Sequence, residues 1–385
     1  MNIEQYEIKI HFSIKQIKKE TWNDCLEGIA NPFYDWDWLL NLEKSKSVSR
    51  GTGWQPLYFS FNLKNELLAI APLFLKNHSY GEFIFDQSFV RLAEDLNIQY
   101  YPKLIGMSPY SPVEGYKFIY KKDSPKLEIT KLLILAIEDF AKKNNILSCN
   151  FLYVDSEWSN YLIKLGYHNW NNIRSEWGSR GESSFEDFLN RFNSNQRKNI
   201  KKERKSIINQ GIKIKIIENE SIDLKIIQKV HAFYEMHCAK WGVWGSKYLT
   251  AQFFESLLSS KDKILIFGAF QESHQDIIAM SMCIKSKDYL WGRYWGSESD
   301  IKNLHFELCY YQPIEWAIKN NINFFDPGAG GNQKRRRGFY AKQTISLHKW
   351  FDKNMDLIIS EWIKKVNHQT IYEIKTENSS IPFTK

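Results

Sequence analysis

Few residues in this sequence are of the kinds that announce a special architecture. Its 385 residues hold only 5 Cys, 10 Pro and 19 Gly. The cysteines (Cys25, Cys149, Cys238, Cys283 and Cys309) are scattered, without a CxxC pair. Neither a zinc site nor a disulfide framework is therefore indicated, no metal is expected, and reduced thiols are the simplest state. So little Pro and Gly excludes fibrous and low-complexity chains. No apolar run approaches the roughly 20 residues that span a bilayer. The start, MNIEQYEIKI, carries Glu4 and Glu7 where a signal peptide needs cations and then an apolar stretch. A cytoplasmic protein without a membrane span is the expectation. The P-loop, GxGxxG, HExxH and GxSxG signatures are also missing, which argues against the kinases and hydrolases built on them.

What is present describes a folded protein. Apolar residues make up 43% and charged residues 25%, and 14 Trp, 20 Tyr and 25 Phe exclude disorder. Lys and Arg outnumber Asp and Glu by 52 to 44, an excess of +8 that points only weakly to an anionic partner. The length is two to three times that of a domain of about 150 residues. Strands and helices alternate. Pro56–Asn62 and Leu67–Leu75 read as neighbouring strands around a turn at Lys64-Asn65-Glu66. Ile129–Lys143 has helical spacing and Ser148–Val154 follows as a strand. A similar order then recurs: helices at Arg197–Gln210 and Leu224–Trp241, strands at Lys263–Phe270, Ile277–Ile284 and Tyr289–Gly296, a helix at Leu304–Asn320 and a strand at Ile322–Asp326. The fold class expected is α/β, with mixed sheets in two similar halves. Their expected bounds are 1–180 and 181–356, with the basic helix 197–210 near the boundary and a C-terminal helix and tail over 357–385.

Five segments can carry chemistry. The stretch Asp326-Pro-Gly-Ala-Gly-Gly-Asn-Gln-Lys-Arg-Arg-Arg-Gly-Phe339 leaves a buried strand for a glycine loop and then four cations, Lys334 to Arg337. Glycines permit close backbone approach, and N–H groups beside cations suit an anion. Upstream, Trp291-Gly-Arg-Tyr-Trp-Gly296 sets Arg293 and Trp295 on one strand face and Tyr294 on the other. Arg293 there either clamps an anion or stacks on rings. His305 opens the next helix, where the dipole disfavours its charged form, and Glu307 lies two residues on. In the first half, Tyr80-Gly-Glu82-Phe-Ile-Phe-Asp86 is followed by Tyr100-Tyr101-Pro-Lys103. Burial beside an apolar run is expected to raise the pKa of Asp86 toward that of a working base, and Lys103 is placed to meet an anion. The run Arg197–Lys205, with six cations and one acid, is a solvated helix face or a groove for RNA or a phosphorylated substrate. No DNA-binding motif accompanies it.

Taken in order, these segments resemble the FemAB-like family of predicted N-acyltransferases of the GNAT superfamily, the "peptidoglycan biosynthesis/recognition" proteins. The resemblance runs from Asn31-Pro-Phe33 and Gly51-Thr-Gly-Trp-Gln-Pro56 through Ala71–Asp86, Tyr100–Leu104 and Arg197-Lys-Asn-Ile200. It continues through Gly292–Gly296 and Leu304–Gln312 to Pro327-Gly-Ala329 and Arg337-Gly-Phe339. It implies tandem GNAT-like domains, as in the Fem-type aminoacyltransferases, enclosing one cleft. It also implies transfer of an acyl or aminoacyl group to an amine of a small molecule or peptide. Acyl-CoA is the first donor expected and aminoacyl-tRNA the alternative, each as a co-substrate with no tightly bound cofactor. A non-catalytic binder of cell-wall precursors is a third reading. Within the matched motifs Asp86, His305 and Glu307 become candidate proton acceptors. Tyr80, Glu82, Tyr101, Lys103, Arg293 and Trp295 become candidate substrate contacts. Tyr294, Gly328, Asn332, Gln333, Lys334 and Arg337 become candidate donor contacts.

Three departures stand out. The family reads Gln-Gly-Glu-His-Lys where this chain has Gly330-Gly-Asn332-Gln333-Lys334, exchanging proton-carrying groups for amides. Glu176-Trp177 stands where relatives have His before Trp, and Gln87-Ser-Phe-Val90 replaces a Trp-rich stretch. The usual GNAT pyrophosphate loop is not recognisable. The oligomeric state is open.

Overall fold

A short strand, Tyr6–His11 (β1), pairs antiparallel with Trp54–Leu63 (β2), which turns back into Glu66–Lys76 (β3). The turn residues Lys64 (φ 49°) and Asn65 (φ 67°) both lie in the left-handed region. That is the backbone a two-residue hairpin needs to match the twist of its strands. β2 and β3 are almost continuously apolar because both faces are covered. Phe140 of the helix Lys126–Lys143 packs on Phe59 at 5.6 Å between ring centroids, and Trp22 meets the neighbouring Tyr58 at 5.8 Å. The computed structural model describes residues 6–26, 31–242, 245–271 and 276–384.

Lys103–Gly106 (β4) adds antiparallel to β3 on one side, and Ile119–Tyr120 (β5) pairs with another part of β3. After the helix Lys126–Lys143 the chain returns as Ser148–Phe151 (β6), parallel to β4. His168–Gly178 (β7) then leads out of the first half. The second half repeats this plan. Ile212–Glu218 (β8), Ile264–Gln271 (β9), Ile277–Lys285 (β10) and Tyr289–Ser297 (β11) form an antiparallel meander. A helical stretch from Leu304 to Lys319 leads to Phe324–Asp326 (β12), which is parallel to β11. Tyr340–Trp350 (β13) and a long helix, Lys353–Ser379, complete the chain.

The chain forms two compact units, Met1–Asn172 with Gln343–Ile371, and Ile173–Lys342 with Tyr372–Lys385. The first transition thus falls within β7, where the sequence reading set 180/181. A second falls within β13 and a third within the last helix. In the first unit the parallel strand β6 is flanked by Leu347–Trp350 of β13. In the second, β12 is flanked by Trp177 and Gly178 of β7. Each unit therefore takes its last strand from a distant part of the chain.

Each unit has its own apolar core. Leu57, Phe59, Leu73, Phe151 and Trp158 belong to the first, and Trp177, Phe188, Phe267, Phe325 and Phe339 to the second. Helix Leu224–Ala239 lies close on β11 at Gly296. A Cβ built there stands 2.3 Å from the backbone oxygen of Phe233 and 2.6 Å from its Cβ. Backbone cannot yield as a flexible side chain does, so Gly296→Ala is expected to destabilise the second unit by about 3 kcal/mol. Denaturant unfolding of the variant measures this.

Candidate active site

The first unit buries a charged cluster. Lys103 opens β4 with its Nζ 2.8 Å from Glu82 Oε2, 2.5 Å from Asp86 Oδ2 and 2.8 Å from Ser79 Oγ. Tyr100 donates to the same Asp86 oxygen at 2.7 Å, and the hydroxyls of Tyr101 and Ser79 are 2.8 Å apart. Glu82, Asp86 and Lys103 are each no more than 4% exposed. Glu82 Oε1 and Asp86 Oδ1 are buried without a hydrogen-bond partner among the described residues. Tyr80 lies mostly in solvent, and its backbone oxygen accepts from Lys76 Nζ at 3.0 Å.

The expectation that burial lifts the Asp86 pKa is corrected here. Burial does push the carboxyl up, but Lys103, Tyr100 and Ser79 together outweigh it and hold it below its usual value. Burial acts instead on Glu82, which is pushed up to about 7 despite the pull of Lys103. Lys103 itself is held above the ordinary lysine range, because the two carboxylates outweigh its burial. The sequence reading did not single out Lys76. It ends β3 fully buried, with its Nζ 3.7 Å from the centre of the Trp54 ring and 3.1 Å from His78 Nδ1. Burial brings its pKa down to about 6. A lysine closing a run of nine apolar or small residues was the available signal.

In the second unit, β11 carries a bulge. Tyr294 is opposite Met282 and Gly292 opposite Cys283, which leaves Arg293 as the extra residue. On its other side β11 pairs with β12 only from Tyr289 to Trp291, ending opposite Asp326. The two strands part at that point. Arg293 Nη2 lies 3.5 Å from Asp326 Oδ2, and Asp326 Oδ1 accepts from Gly328 N–H at 2.8 Å. Gly328 (φ 86°) sits in the left-handed region that the turn requires. Lys334 reaches back to its carbonyl at 2.6 Å. Burial brings Lys334 down to about 8, with Asp326 partly opposing.

His305 packs against Trp295 and Tyr310, 5.2 and 5.3 Å between ring centres. Burial, then the charges of His237, Lys334 and Arg337, bring its pKa down to about 4. It is a neutral imidazole at pH 7. The unfolded chain binds a proton on this residue below pH 6.5 that the folded unit refuses until about pH 4. Stability is therefore lost as pH falls through that window, by about 3 kcal/mol for this group alone. Denaturant titrations at pH 7 and pH 4.5 are expected to show the loss, and His305→Gln to remove it.

Glu307 is buried and held by Arg204 of the basic helix Ser194–Asn209, with Nε and Nη2 2.9–3.2 Å from its oxygens. Gln312 donates to it at 2.8 Å. Arg337 pairs with Glu203 of the same helix at 2.9 and 3.0 Å and stacks 3.3 Å from the centre of the Phe306 ring. These two ion pairs fasten the helix to the site, and no sequence spacing shows them. Tyr294 points the other way, against Tyr234 and Phe254. Gln333 is exposed, and its oxygens accept from Arg337. The side chain of Asn332 lies outside the described residues. Among the described residues no helix is long and apolar enough to cross a membrane.

A model of the FemAB-like family, peptidoglycan biosynthesis/recognition, matches residues 13–385. The chain belongs to the FemAB-like family. Its fold is similar to that of FemX, at 10% identity over 92% of this chain and 100% of that one, with a TM-score of 0.54. A conserved protein of unknown function from Bacteroides thetaiotaomicron matches over 90% of this chain and 100% of its own, at 9% identity and a TM-score of 0.50. A tandem GNAT protein from the clavulanic acid biosynthesis pathway matches at 9% identity, over 90% and 98%, with a TM-score of 0.47. No curated protein sequence matches. The family is FemAB-like and the fold is similar to that of FemX, so this FemAB-like protein has the α/β architecture with mixed sheets that its motifs imply.

Proposed function

We propose that the protein transfers an aminoacyl group from an activated ester, aminoacyl-tRNA, to the amine of a peptidoglycan-precursor peptide. The donor carbonyl is bound in the second unit. The supporting observation is the parting of β11 from β12 beyond Trp291 and Asp326, beside the Arg293 bulge. Strand N–H groups turned away from a ladder can polarise a donor carbonyl, and an amine attacking that carbonyl is stabilised as its oxygen gains charge. Lys334, an ammonium at neutral pH, adds a donor at the glycine loop.

The loop between β11 and the helix at Leu304 bears on the identity of the donor. A pyrophosphate needs closely approaching N–H groups at a helix N-terminus. This loop runs Glu298-Ser-Asp300-Ile-Lys302-Asn303 and has no glycine, and its Glu298 is paired with Lys229 at 2.7 Å. Without glycine the loop backbone cannot approach a pyrophosphate closely, which leaves the ester as the better donor. For proton transfer within this unit, His305 is neutral at pH 7, whereas Glu307 is held by Arg204.

The test incubates purified protein with charged tRNA or acyl-CoA and an amine-bearing muramyl peptide, and reads the acceptor mass. Aminoacylation abolished by ribonuclease is expected. Thiol release with an acyl mass shift, insensitive to ribonuclease, overturns the ester in favour of CoA. Saturable peptide binding with neither shift overturns the enzyme reading.

A further inference from the structure

Bordered by Arg204, Glu307 and Gln312 of the site just described, the second unit carries a groove of about 830 Å³ along the outer flank of β8. Phe185 and Leu189 of helix Phe185–Asn190 form one wall, and Lys201, Lys205 and Ile208 of the basic helix form another. The third is a continuous piece of strand, Ile212 to Lys215. Among the described residues no β9 residue lines it, although β9 is the strand to which β8 is paired. The groove therefore follows the open edge of the sheet and not its face. β8 is the outermost strand of its sheet, and in an antiparallel pair every second residue turns its N–H and C=O away from the partner strand.

Chemistry narrows the occupant. Five cations (Lys201, Arg204, Lys205, Lys213 and Lys215) line the groove; Lys201 is paired with Glu186, and Arg204 with Glu307 and Glu315, so Lys205 of the helix and Lys215 of the strand are the cations that set its charge. Apolar surface predominates between them, and Ile208 is 73% exposed at the rim. Edge N–H and C=O groups ask for an extended backbone, the lysines for acids and the isoleucines for apolar side chains. Self-pairing of β8 between two copies would bring Lys213 and Lys215 against other lysines, which is unfavourable.

We propose that this groove binds an extended acidic segment of a partner protein, added as an antiparallel or parallel strand to the edge of β8 with acidic and apolar residues alternating. The groove includes neither the Arg293 bulge nor Gly328 and Lys334 of the glycine loop, so the proposal stands whichever donor the enzyme uses.

The probe is a fluorescein-labelled octapeptide of alternating Val and Glu with blocked ends, followed by anisotropy. Saturable binding is expected, weakened by about tenfold or more in the double variant Lys205→Glu/Lys215→Glu. Proline at every second position, placed in either register, is expected to abolish binding in at least one register, because proline cannot donate to a ladder. The melting temperature of the double variant reports that it is folded. Binding that survives proline in both registers overturns strand addition. So does a single-stranded oligouridylate, or a phosphatidylglycerol vesicle, that binds this groove while the peptide does not.

Discussion

Lys103→Met is expected to destabilise the first unit by about 3–5 kcal/mol in denaturant unfolding. The methionine fills much the same space, so packing is not the cause. The lysine sits within 2.8 Å of both Glu82 and Asp86, all three out of water, and Asp86 has an ionised carboxylate whose charge Lys103 balances. Removing one side of a buried ion network leaves the other in a medium that solvates charge poorly. The check is a triple variant, Lys103→Met with Glu82→Gln and Asp86→Asn, in which no uncompensated charge remains. It is expected to recover most of the loss. If the triple variant is as unstable as the single one, the cluster's electrostatics are not what holds this region.

At Lys334 the same substitution is expected to do the reverse. Lys334 bonds to the carbonyl of Gly328, and burial already pulls its proton toward release, to about 8. Lys334→Met relieves a buried charge without stranding a bonded carboxylate, so stability is expected to hold or rise. Transfer, however, is expected to fall by about 10²–10³-fold, the usual effect of removing one preorganised donor from a developing negative charge. A Lys334→Met protein with wild-type turnover would remove Lys334 from the proposed mechanism. Two buried lysines thus separate a group that stabilises the fold from one the fold tolerates for its chemistry.

Much of the local structure was legible from residues alone. The hairpin at Lys64–Asn65, the strands before Lys285, and the charged helix expected at 197–210 and found at Ser194–Asn209 follow from short-range preferences. Other elements were not legible. β7, HNWNNIRSEWG, is polar and carries no clean alternation, because its buried and half-buried residues follow partners far away in the chain. The segment expected as loop between Lys76 and Tyr116 contains β4, only four residues long, and the helix Gln87–Asp95, whose buried Phe89 and Ala93 lie one turn apart, a periodic signal that the expectation of a loop passed over. The last helix extends to Ser379, where a short helix and polar tail were expected, because scattered positions such as Ile359, Ile363 and Thr370 are buried while the rest is polar.

The site divides in the same way. The motifs named Asp86, His305, Glu307 and Lys334, but their working states were decided by neighbours distant in sequence. Arg204, more than 100 residues before Glu307, engages that carboxylate. Lys103 draws Asp86 down while burial lifts Glu82. By itself the sequence determined the family, most of the strands and helices, and which side chains bear charge. Only the tertiary structure decided which strand closes each sheet and which of those charges are paired or shifted. The reason is physical: backbone preference acts over a few residues, whereas burial and Coulomb interactions depend on distance in space.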